Sequence, residues 1–202
     1  MYASSYDIKA FYNSKMGRVV RRILQERIQE FWPDAHGLRL MGYGYPCPYL
    51  RMFFEGAERV FGVVPAWQGV HAWPHDGPNM IALSEEGELP IETESVDRVL
   101  MVHALEYSEN MPLNLQEIWR VLKGNGRLLV LVPNRAGLWA RAEWSPFGQG
   151  TPYSLSQICH YLKENRFIHE RTEEALFMPP FKSKMLIKSS RAFEYAGKNF
   201  LP

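Results

Sequence analysis

Cysteine is scarce in this chain. Cys47 and Cys159 are its only two among 202 residues, too few for a disulfide framework. The segment from Met1 to Lys9 lacks the basic and apolar regions of a secretion signal. A reducing, cytoplasmic setting is therefore expected. Long apolar runs are also missing: the longest, Leu128 to Val132 before Pro133, falls far short of the ~18 to 20 residues of a membrane span. Nor is there an excess of charge of one sign, because 23 Lys and Arg face 22 Asp and Glu for a net +1. A field that small argues for neither nucleic acid nor an acidic surface as partner. Finally, no G-x-G-x-x-G with an acid about 20 residues on is present, which argues against a nicotinamide dinucleotide.

What is present reads as one α/β domain. The chain is 46% hydrophobic and 22% charged, inside the range of a single globular unit of this length. Val19, Val20, Ile23, Leu24, Ile28 and Phe31 recur at helical spacing, with Arg18, Arg21, Arg22, Glu26, Arg27 and Glu30 on the other face, and Pro33 ends that helix. Short apolar runs at Leu38–Met41, Val60–Val64, Met80–Leu83, Val96–His103 and Arg127–Val132 are bounded by Gly, Pro, Asp or Asn and read as buried parallel strands. Helices are clearest at Leu113–Lys123 and Ser154–Glu164, the latter opened by an N-cap Ser154 with Gln157 at the capping-box position. Strand alternating with helix selects a doubly wound, mostly parallel sheet. Four stretches divide the single domain: N-terminal helices over 1–36, a core over 37–133, an aromatic-rich insertion over 134–152, and a C-terminal helix, strand and basic helix over 153–202. The Gly- and Pro-rich stretch from Pro65 to Asn79 leaves room for one or two helical turns only.

The run from Leu89 through Tyr107, followed by Glu117 to Arg127, carries the most specific signal. Leu89-Pro90 stands where an LPF-type turn would, Val96-Asp97 begins a strand, Met101 to Leu105 forms an HxLxH-like strand end, and Glu117-Ile118-Trp119-Arg120-Val121-Leu122-Lys123 precedes Gly124-Asn125-Gly126-Arg127. In this order and spacing the run resembles the middle of class I S-adenosylmethionine-dependent methyltransferases. The resemblance extends over roughly Leu38 to Phe167. It implies a Rossmann-like sheet, S-adenosylmethionine as methyl donor, and an acceptor, small molecule or protein, that the sequence does not name.

Ligands of open α/β sheets lie at the carboxyl ends of the strands, so the resemblance assigns roles to four strand ends. Gly42, Tyr43 and Gly44 form a weakened glycine-rich turn, in which Tyr45-Pro46-Cys47-Pro48 replaces the usual third small residue, and a helix starting near Pro48 would offer free N–H groups. Val64 and Pro65 stand where relatives carry an acid for the ribose hydroxyls. Losing that contact removes roughly 1.5 to 3 kcal/mol, about one to two powers of ten in affinity, unless Gln68, His71, His75 or Asp76 replaces it. Ser84, Glu85 and Glu86 close the third strand, with Glu85 at the position for the adenine amino group. His103 and Ala104 close the fourth, beside the methyl donor. No metal site is suggested.

Methyl transfer needs alignment and water exclusion more than covalent help, with a base only when the acceptor must lose a proton. Glu106, Tyr107, His103, Arg135 and Arg141 are candidates for that base or for positioning; the catalytic group stays open. Trp139, Trp144 and Phe147 mark the insertion as an expected mobile lid. Lys182, Lys184, Lys188, Arg191 and Lys198, with Leu186, Phe193 and Phe200, form an expected basic amphipathic helix. Arg166 to Phe177 is expected to supply a sixth strand, while no β-branched run remains for a seventh. An open fifth-strand edge would favour self-association, or a natural chain longer than this one. Two other readings stay open: a catalytically inactive, methyltransferase-like binding or regulatory module, and an oxidoreductase-type nucleotide binder.

Overall fold

Five strands form one all-parallel sheet in the order β3-β2-β1-β4-β5. They are β1 (Arg39–Gly44), β2 (Arg59–Pro65), β3 (Ile81–Ser84), β4 (Val96–Val102) and β5 (Leu122–Leu131), so each predicted strand is found within a few residues of its place. The computed structural model describes residues 4–180 and 189–200. Among the described residues six α-helices accompany the sheet: α1 (Ser5–Asn13), α2 (Lys15–Phe31), the single turn α3 (Cys47–Leu50), α4 (Met111–Val121), α5 (Leu155–Glu164) and α6 (Ser190–Phe200). None of the described helices is long and apolar enough to cross a membrane. The order of strands reverses between β1 and β4, and that is the switch point at which such sheets bind ligands.

Alternation along the central strands sorts the core into two layers. Leu40, Leu100 and Val102 face the layer of α1, α2 and Trp139 and Phe147 of the insertion. Met41, Tyr43, Val63, Val99 and Met101 face Leu115, Ile118 and Val121 of α4 and Ile158 of α5. The period of two in a strand places these sets on opposite faces. Helix ends follow local rules. Ser4 caps α1 in a capping box with Asp7, Ser14 caps α2 through Gly17 N, and Ser154 caps α5 in a capping box with Gln157. At the α1–α2 elbow a Cβ on Gly17 would lie 2.0 Å from Phe11 O, so only glycine lets α1 fold back against α2.

Two expectations need correction. The stretch proposed as a sixth strand does not become one. Arg166 and Leu176 sit at φ +71° and +64°, and the N–H groups of Leu176 and Met178 turn to the Glu194 carboxylate of α6, each at 3.2 Å. Those donors are thereby taken from any ladder with β5, which among the described residues pairs with β4 alone. The helix expected near Pro48 is the one turn α3, with Pro46 before it and Pro48 within it, too short to focus N–H groups on a ligand. Of the basic helix, Lys182, Lys184, Leu186 and Lys188 lie outside the described residues, and Ser190–Phe200 is helical.

The motif that carries the family resemblance has a mechanical role. Arg120 on α4 donates to Leu89 O at 3.0 Å, Ile91 O at 2.9 Å and Thr93 Oγ1 at 3.1 Å, and is held by Glu117 at 2.7 Å. Glu117 in turn accepts from Leu89 N at 2.8 Å. The pair clamps the turn between the end of β3 and the start of β4 onto α4. Its hydrogen bonds to Arg120 hold the Glu117 carboxyl below its ordinary value against a smaller opposing effect of burial. A depressed folded-state value contributes stability above the ordinary carboxylate range and loses it as pH falls through the depressed value. Arg120→Met is therefore expected to lower unfolding free energy by about 2 kcal/mol at pH 7. The gap should narrow as Glu117 protonates. Urea midpoints of both proteins between pH 7 and 3.5 check this, and a gap that grows in acid would contradict the clamp.

Candidate functional site

The four strand ends meet as the topology requires, but the glycines there serve the chain itself. Gly44 adopts φ +86°, and a Cβ on it would lie 2.4 Å from Val102 O and 2.8 Å from Ala104 Cβ. Tyr45 N donates to the same carbonyl at 2.6 Å. Glycine is thus demanded by the close approach of β1 and β4. At Gly42 a Cβ would meet the Pro46 ring at 2.4 Å, so the proline folds back over the strand end where relatives leave a third small residue.

The other predicted positions divide. The Tyr43 side chain points to the α4 face, where its hydroxyl donates to Asn114 Oδ1 at 2.5 Å. Val64 is buried beside Cys47 and Ile81, and Pro65 is buried at the end of β2. Burial raises the Cys47 thiol to about 12, which makes it unreactive. Ser84 Oγ donates to Glu88 O at 2.6 Å. Glu85 is exposed, whereas Glu86 accepts from Trp67 Nε1 at 3.1 Å, Ser108 Oγ at 3.2 Å and Asn110 N at 3.4 Å, and so ties three loops together. Asp76 pairs with Arg51 at the surface.

Two of the proposed substitutes for the missing acid stand out. Gln68 Nε2 donates to His103 O at 2.9 Å, yet Gln68 Oε1 is buried without a partner among the described residues. His71 Nδ1 is buried and unpartnered in the same way. Burial, with nearby Lys9 adding, pushes the His71 imidazole down from its ordinary value, which favours the neutral ring, and in the tautomer protonated at Nε2 its Nδ1 is an acceptor. Buried polar atoms without partners are rare and costly. Both residues follow β2 in the chain.

At the β4 end lies a buried chain of hydrogen bonds. Tyr49 OH donates to Tyr12 OH at 2.8 Å, and Tyr12 OH lies 2.8 Å from His103 Nε2. His103 Nδ1 lies 3.1 Å from Glu106 Oε1, and Ala104 N donates to Glu106 Oε2 at 3.1 Å. A carboxylate only accepts, so Nδ1 carries the ring proton and Nε2 is left to accept from Tyr12. Burial first, then Tyr49 and the Glu106 charge, push the Tyr12 phenol well above its ordinary value, which keeps it a donor. His103 has φ +50°, a left-handed conformation that a non-glycine residue holds only when its surroundings compel it. Those surroundings are Glu106, the Gln68 amide and the Phe147 ring, whose centroid is 4.9 Å away edge-on.

Tyr12 enters from α1, and Tyr45 lies parallel to it with centroids 6.1 Å apart. The two rings, 4% and 3% exposed, occupy the space above the switch point. Tyr12, Tyr45, Tyr49 and Asn114 escaped the sequence reading. Only Ile8, Phe11 and Tyr12 at i, i+3 and i+4 hinted that the first segment has a buried face. The insertion is anchored here: Phe11 meets Trp139 at 6.4 Å and Phe147 at 6.0 Å, both nearly edge-on. Of the positions named for a base, His103 and Glu106 come together, while the Tyr107 hydroxyl donates to Pro146 O. Arg135 Nε reaches Pro152 O at 3.4 Å, and Arg141 contributes its backbone N–H to Leu138 O.

Residues 41–130 match the family described as a methyltransferase domain. That match agrees with the sheet order and with the Leu89–Arg127 motif, both of which resemble those of class I S-adenosylmethionine-dependent methyltransferases. Solved structures share the fold at low identity. A chain of the Haloferax volcanii complex between the Trm112 methyltransferase activator and a methyltransferase is 17% identical with TM-score 0.65, covering 93% of each chain. An S-adenosylmethionine-dependent methyltransferase from Aquifex aeolicus is 20% identical with TM-score 0.62, over 85% of this chain and 93% of that one. One from Archaeoglobus fulgidus is 15% identical with TM-score 0.60, over 94% and 90%. No curated protein matches the chain.

The buried chain predicts its own energetics. Tyr12→Phe keeps the stacked ring but strips a donor from His103 Nε2 and an acceptor from Tyr49. It should destabilise the protein by about 1 to 3 kcal/mol. Equilibrium denaturation compares the two proteins, and an unchanged midpoint would mean that these hydroxyls do not meet.

Proposed function

We propose that this chain is an S-adenosylmethionine-dependent methyltransferase whose donor lies across the carboxyl ends of β1, β2 and β3. The observation that carries the reading is the pair of unpartnered buried atoms, Gln68 Oε1 and His71 Nδ1, at the strand end where relatives bind ribose hydroxyls. In this reading the two atoms accept from those hydroxyls and replace the acid absent at Val64. Glu85 takes the adenine amino group. The bound donor supplies a sulfonium methyl group; the chain orients the acceptor and keeps water out. Opening the Tyr12–Tyr45 stack is part of the cycle. The likeness to the Haloferax complex supports a partner protein as one route to that opening.

Calorimetric titration with S-adenosylmethionine, S-adenosylhomocysteine and NAD tests this. The first two should bind and NAD should not. Gln68→Leu and His71→Phe should each weaken S-adenosylhomocysteine about 3- to 10-fold, the value of one hydrogen bond. Binding of neither sulfur compound would favour the non-enzymatic module, and binding of NAD alone the oxidoreductase-type reading.

A further inference from the structure

We propose that His103 is the general base for methyl transfer, positioned by Glu106, and that the Tyr12 hydroxyl holds the place of the acceptor's own O–H or N–H group. The inference rests on the methyltransferase reading and adds the chemical class of its acceptor: a nucleophile that must lose a proton.

Three observations converge on it. First, the direction of the chain is fixed. Glu106 Oε2 is occupied by Ala104 N at 3.1 Å, so Oε1 receives Nδ1–H, and the lone pair of Nε2 points at Tyr12 OH, 2.8 Å away. An imidazole held in this tautomer by a carboxylate is arranged to take a proton at Nε2. Second, the arrangement is over-determined for a core histidine. A left-handed His103 backbone, a Gln68 amide on its carbonyl and a carboxylate buried to 2% exposure are costly to assemble only to satisfy one ring. Third, the partner at Nε2 comes from outside the sheet. Tyr12 belongs to α1, 91 positions from His103, and α1 is attached to the body through a glycine-dependent elbow and the Ser5 hydroxyl on Gly69 O. Beside it, a hollow of about 260 Å³ lies along the seam between α1 and the insertion, lined by Asp7, Phe11, Trp144 and Gln149. The nucleophile in contact with the base is thus a phenol supplied by a helix outside the sheet.

Removing that phenol turns the inference into an experiment. Tyr12→Ala removes the phenol ring beyond Cβ, and p-cresol supplies such a ring. p-Cresol should raise the melting temperature of Tyr12→Ala and leave Tyr12→Phe unchanged. With S-adenosylmethionine supplied, 4-methylanisole should form. The cresol proton passes to Nε2, an oxygen lone pair forms the O–CH₃ bond, and the S–CH₃ pair stays on sulfur, leaving a neutral thioether and an imidazolium facing Glu106. Adding His103→Asn should cut the yield about 100-fold without abolishing S-adenosylhomocysteine binding. Equal yield with and without His103 overturns the inference. So does cresol binding without product in a variant that binds S-adenosylhomocysteine, and the methyltransferase reading then survives. Should no variant bind S-adenosylhomocysteine, both fall together. If Tyr12→Ala does not fold, ¹⁵N–¹H correlation of the His103 ring in the unaltered protein decides. Nδ1 should carry the proton, and Glu106→Gln should shift the ring towards the Nε2–H form. An Nε2–H tautomer in the unaltered protein overturns the inference.

Discussion

The contact between Tyr12 and His103 organises this molecule. It joins the first helix to the end of the fourth strand, and everything above the switch point of the sheet is arranged around it. Tyr49 completes the hydrogen-bonding capacity of Tyr12, Glu106 sets the tautomer of His103, and Phe147 brings the insertion down on the imidazole. Unsatisfied, any of these groups would cost more than it contributes. Satisfied together they form a cover over the edge where the family places its ligands. The family's glycines have been absorbed into the same arrangement, Gly42 under Pro46 and Gly44 against Val102 and Ala104.

Family motif and functional site are separable here. The Glu117–Arg120 pair, the strongest part of the resemblance, clamps the β3–β4 turn to α4. It reports how the chain folds, and solved structures at 15 to 20% identity report the same. The proposed activity rests on other residues: two open acceptors past β2 and a histidine with a carboxylate behind it at the end of β4. None of these belongs to the glycine-rich turn from which such sites are usually argued.

The legible parts of the sequence were those whose signal is local. Each strand was a short apolar run between breakers, and Ser154 with Gln157 announced α5 by a capping box. Gln68 and His71 could be named only as candidates, because the missing acid at Val64 is a gap at a known register. Tyr12 was hidden because its role depends on a partner 91 positions away, and one tyrosine after a phenylalanine has no period of its own. The sixth strand was misread because Glu194, an acid on a later helix, takes the N–H groups that a sheet would have used. Composition could reveal neither contact, since each is decided by packing at long range.

The central claim is that the carboxyl edge of the sheet is a ligand site held shut by α1. Hydrogen–deuterium exchange over residues 5–13, with and without saturating S-adenosylhomocysteine, tests it most directly. Faster exchange of those amides with the ligand bound is expected, because entry parts Tyr12 from Tyr45 and loosens α1 from the body. Bound ligand with α1 protected as before, or more so, would contradict the account.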